Sequence, residues 1–106
     1  MQEQHCVSTF FMAMLFGLSL VLAAGCSAPA GNPEDGKRWY NMHNCFACHG
    51  LNGNDGKGPI IDANSLSYGK FKSIVRNANS PIMPKYPKEK ISDQDVADIY
   101  AWLKTR

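Results

Sequence analysis

The chain has 106 residues, 44% of them hydrophobic and 19% charged, and carries a formal net charge of +2 at pH 7. That length allows one domain at most. Its 11 basic residues form no dense run, which argues against a nucleic-acid-binding surface.

The stretch Phe10 to Ala24 is almost wholly apolar and closes on Gly25-Cys26. It is short for a membrane span and suits the hydrophobic region of an export signal. Residues 1–9 hold no Lys or Arg, so the sequence argues more firmly for export than for cleavage. Leu22-Ala23-Ala24-Gly25-Cys26 resembles the bacterial lipobox, with Ala23 where Leu, Val or Ile is usual. On that resemblance residues 1–25 are a signal peptide, Cys26 is acylated, and residues 26–32, rich in Ser, Ala, Gly and Pro, form a lipid-anchored tether. The expected location is the periplasmic side, anchored to a membrane; Ser27 after the cysteine favours the outer one. Cleavage elsewhere, with Cys26 an incidental thiol, or an uncleaved N-terminal helix are the alternatives.

All 11 basic residues, and all but Glu3 of the 9 acidic ones, fall in residues 26–106, which therefore carry +3. The first helix of this part has clear local chemistry. Asn32 can cap it, Pro33 fits its first position, and Glu34 and Asp35 lie where the helix dipole favours negative charge. The predicted span is Pro33 to His43. Gly36 and Tyr40 fall on one face, an arrangement that permits close helix crossing; simple tolerance of Gly36, at about 1 kcal/mol relative to Ala, is the plainer reading.

Cys45-Phe46-Ala47-Cys48-His49 follows. Two thiols about one helical turn apart can both reach the vinyl groups on one edge of a porphyrin, and the imidazole next to the second can ligate its iron. The five residues therefore read as an attachment site for c-type haem. A redox dithiol would want a strand-helix-strand setting that this chain lacks. A zinc site would need two further ligands, and no cysteine or histidine follows His49. A covalent macrocycle would also supply the apolar surface that a chain of this size is short of.

Gly50 to Pro59 contains four glycines and no hydrophobic periodicity, and is predicted to be a loop. It lacks the acidic alternation of a calcium loop. The functional reading is that it wraps the haem edge and that a carbonyl near Pro59 accepts the proton on the far nitrogen of His49. Helical spacing returns between Ser65 and Asn79, with Tyr68, Phe71 and Val75 on one face and packed against the porphyrin. Arg76 could pair with a haem propionate, or be a solvated surface residue.

Prolines 81, 84 and 87 stiffen an extended loop with Met83 at its middle. A buried methionine is ordinarily core filler. Here the proline frame and the haem motif make Met83 the candidate sixth iron ligand, since Met42 stands too close to Cys45 to come round to the opposite face. Lys85, Lys88 and Lys90 follow and could steer an acidic partner, or simply be solvated. The last helix is marked by Ser92 capping before Asp95, then by Val96, Ile99, Tyr100 and Leu103 at helical spacing, with Trp102 positioned to pack over Gly36 and Tyr40. No strand is predicted.

Residues 33–106 as a whole resemble a class I, monohaem bacterial c-type cytochrome. The resemblance is carried by Gly36 and Tyr40, Cys45-x-x-Cys48-His49-Gly50, Gly58-Pro59, Val75-Arg76-Asn77, Met83-Pro84, and Ile99, Trp102 and Leu103. It departs at Ala78, where glycine is usual, and at Trp102, where tyrosine is commoner. The resemblance implies an all-α cytochrome c-like fold of three to four short helices around one covalent haem, with His49 and Met83 as axial ligands and redox proteins as partners. The expected function is one-electron transfer in a bacterial respiratory or dehydrogenase-linked chain, not catalysis. A peroxidase-like enzyme would need an open iron position and a distal acid/base group; a gas sensor with a displaceable Met83 is the other alternative.

Overall fold

The computed structural model describes residues 28–106, which hold four helices and no strand: α1 (Pro33–Met42), α2 (Phe46–His49), α3 (Tyr68–Asn77) and α4 (Asp93–Leu103). The fold is all-α, as predicted. The signal-peptide and acylation expectations fall mainly on residues 1–27 and lie outside the described residues. None of the described helices is long and apolar enough to cross a membrane.

Local chemistry sets the helix ends. The Asn32 side chain accepts from the backbone N–H groups of Glu34 and Asp35, and Ser92 does the same for Asp95. α1 stops one residue before the predicted end, with His43 as its C-cap. Asn44 then takes a left-handed conformation, φ 57°, which asparagine tolerates better than most residues, and this turns the chain into α2. α3 begins later than the predicted Ser65. Asp62 draws Ser65 into a side-chain-bonded turn, and Ser67, whose hydroxyl accepts from the Lys70 N–H, is the actual cap.

The core forms where α4 lies across α1. A Cβ on Gly36 would strike the Asp98 carbonyl, so the helices meet backbone to backbone at this point. Beside it the Tyr40 and Trp102 rings pack with centroids 4.8 Å apart, so the unusual Trp102 fills the crossing. α3 closes the other side of α4, with Phe71 and Tyr68 at 5.4 and 5.5 Å from the Tyr100 ring. The apolar face of α3 thus packs on protein, with Phe71 and Val75 buried.

A polar cluster ties the start of the domain to α4. The buried Asp98 accepts from the Asn32 N–H at 2.8 Å and from Gln94 at 2.9 Å, and Gln94 also donates to the Ala30 carbonyl. Residues 30–32 are therefore docked on the domain.

Candidate haem site

The site is built on α2 and the two loops that flank it. Cys45 is half-buried and Cys48 exposed, and both are free thiols. Burial pushes the Cys45 thiol up to about 11.

The loop after His49 folds back onto the motif. Gly58 N–H donates to the Cys48 carbonyl at 2.6 Å, and Tyr40 donates its hydroxyl to the Gly50 carbonyl at 2.7 Å. Burial, more than any other cause, raises the Tyr40 pKa. Gly50 leaves α2 at φ 85°, and a Cβ on Gly56 would meet the Cys48 carbonyl and the Gly50 nitrogen. The glycines there are a requirement of close backbone approach. Asp55 is used within the loop, accepting from Asn52, and no group of three or more potential metal-binding His, Cys, Asp or Glu residues occurs among the described residues.

This folding brings the Pro59 carbonyl to 2.7 Å from His49 Nδ1. A carbonyl oxygen can only accept, so the contact places a proton on Nδ1 and, in the neutral imidazole, leaves the lone pair on Nε2. The imidazole is thereby oriented as a ligand with one nitrogen available.

Met83 is half-buried on its loop, and the Ser80 hydroxyl accepts from the N–H groups of Ile82 and Met83. Tyr86 holds this loop near the motif. Its ring meets His43 at 6.2 Å, edge on, and its hydroxyl reaches the His43 carbonyl at 3.5 Å. Its pKa is raised, by burial first. Sequence reasoning missed Tyr86; an aromatic flanked by Pro84 and Pro87, three residues after Met83, was the available sign.

Arg76, a candidate partner for a haem propionate, is held by protein groups. Its side chain is 16% exposed, and it donates to the carbonyls of Tyr86 (3.0 Å) and Ile91 (2.7 Å) and to Asp93 (2.8 Å). Asp93 also pairs with Lys72 and Lys88, and Lys90 lies over the Tyr86 ring, so two of the three lysines in the predicted steering patch have local partners. Ala78 needs no glycine-like freedom, for it is extended at φ −54°, ψ 129°.

The residues present fit a covalently held haem. Two adjacent free thiols and an imidazole with one open nitrogen are the donor set that it requires. Apolar surface is available too. The exposed large hydrophobics among the described residues are Met42 at the end of α1, Phe46 in the motif, Leu51 and Ile60 in the loop after it, and Ile82 beside Met83, and none comes from α3 or α4. Fold and site together define a c-type cytochrome domain. The sequence profile of the family described as cytochrome c oxidase, cbb3-type, subunit III matches residues 31–103, and the chain belongs to this family. Its cofactor is accordingly haem c, an iron porphyrin bound covalently to the chain. No curated protein and no solved structure matches the chain.

Proposed function

We propose that this protein is a one-electron carrier of the class I type, with thioether bonds at Cys45 and Cys48 and His49 and Met83 as axial ligands. The observation that carries the reading is the 2.7 Å His49 Nδ1 to Pro59 carbonyl contact, which dedicates the imidazole to ligation. When bound, haem c supplies a reversible ferric/ferrous couple, and a thioether ligand favours the reduced form. The protein's part is to hold both ligands. Pro59 fixes the tautomer, Tyr40 and the loop glycines fix the turn after His49, and the proline frame holds Met83.

The family description names a subunit of an oxidase, and we place this chain on the electron-delivery side of such chemistry, in a respiratory or dehydrogenase-linked chain. Its partners are redox proteins, with Lys85 suited to an acidic surface. Acylation of Cys26 would hold the domain at the periplasmic face of a membrane.

Redox titration tests the function. A reversible one-electron wave per chain, with ferrous protein that does not take up carbon monoxide, is expected. Ready carbon monoxide binding or peroxide turnover would favour the sensor or the enzyme.

A further inference from the structure

The chain between α3 and α4 is long, and Met83 lies within it. Its base is closed by two bonds to a single residue: the Tyr86 N–H donates to the Val75 carbonyl at 3.0 Å, and the Tyr86 carbonyl accepts from Arg76 at 3.0 Å. Both backbone polar groups of Tyr86 are thus held by consecutive residues of α3. The same Arg76 nitrogen reaches the Ile91 carbonyl at 2.7 Å, so the guanidinium also pins the far end of the segment beside α4.

We propose that Arg76 is a positioning residue for Met83: with the Val75 carbonyl it clasps the base of the 76–86 loop and keeps the thioether from being displaced from iron. The proposal rests on the reading of Met83 as an axial ligand. A loop held in one arrangement loses little freedom when its side chain coordinates, whereas an open loop must be ordered each time, and an added ligand then competes more easily. Arginine suits this task because Nη1 serves the two carbonyls while Nη2 holds the Asp93 carboxylate, a rigid two-nitrogen fork that the single nitrogen of a lysine does not reproduce. Asp93 keeps Lys72 and Lys88 if the guanidinium is lost. Replacement of Arg76 therefore removes the side-chain half of the clasp without leaving that carboxylate unpaired.

The test uses full-length holoprotein in the ferric state with imidazole as the competing ligand. In Arg76→Lys the imidazole dissociation constant should fall roughly tenfold or more, as expected for loss of a charge-assisted hydrogen bond. The long-wavelength sulfur-to-iron band should vanish at correspondingly lower imidazole. Ile99→Val, at the α1–α4 crossing, should leave that constant within about twofold of wild type, while still lowering the melting temperature. An unchanged constant in Arg76→Lys, or an equal fall in Ile99→Val, overturns the proposal. Hydrogen exchange on wild-type protein tests the clasp independently of any variant: the Tyr86 amide should exchange as slowly as the amides of α3, and exchange at open-loop rates overturns the proposal. A wild-type ferric protein lacking the sulfur-to-iron band sinks the Met83 reading itself, which separates that failure from failure of the clasp.

Discussion

Gly36 faces Asp98 so closely that the Asp98 carbonyl occupies the space where a Cβ would stand. The contact is backbone against backbone, so no rotamer change can relieve it. Gly36→Ala should gain about 1 kcal/mol of helix propensity and lose more, since overpacking costs about 1–3 kcal/mol and this site cannot yield. A melting temperature lowered by several degrees in the holoprotein is expected. An unchanged or raised value would show that α1 and α4 do not cross as described.

The Arg76–Asp93 pair sets a pH dependence. Hydrogen bonding from Arg76, then from Lys72, lowers the Asp93 pKa from its ordinary 3.8 to about 2. A depressed carboxyl contributes stability that is complete above the unfolded value and is lost as pH falls through the folded one. Wild-type stability should therefore decline between about pH 4 and pH 2 more steeply than that of Asp93→Asn. The carboxylate is 37% exposed, so the difference will be modest and smaller in high salt. Parallel acid curves for the two proteins would contradict the assignment.

Covalent attachment predicts that haem stays with the polypeptide on denaturing electrophoresis. Replacing both Cys45 and Cys48 by Ser should abolish that retention. Full retention in the double variant would exclude these thiols as the attachment points.

Acylation of Cys26 predicts that wild-type protein fractionates with membranes and that Cys26→Ser releases it or blocks its processing. Ser27 in the following position favours the outer membrane in a two-membrane cell. Wholly soluble wild-type protein, with a mature N-terminus beyond Cys26, would exclude the anchor.

Local patterns made much of this structure legible. Asn32-Pro33-Glu34 and Ser92-x-x-Asp95 announce helix starts through side chains within three residues of the groups they cap, and Gly36 with Tyr40 announces a crossing because both fall on one helical face. The His49 to Pro59 contact was foreseeable for a similar reason, since a glycine-rich loop that short has few ways to fold back. Arg76 was not foreseeable. Its acceptors lie 10, 15 and 17 residues onward, and nothing in Val75-Arg76-Asn77 indicates that Tyr86, Ile91 and Asp93 converge on it. Asp98 is similar: it reads as a polar residue on a helix, and only tertiary packing turns it into the acceptor that docks Asn32. The start of α3 was misplaced because Ser65 and Ser67 are both competent caps, and Asp62 decides between them.

The ligation state of the iron tests the central claim most directly. Ferric wild-type protein should be low-spin and show the weak long-wavelength sulfur-to-iron band. Met83→Ala should lose the band, shift toward high spin, bind added small ligands and fall in potential as ferrous stabilisation is lost. A wild-type protein that is already high-spin, binds ligands freely and keeps its potential on Met83→Ala would contradict the electron-carrier account.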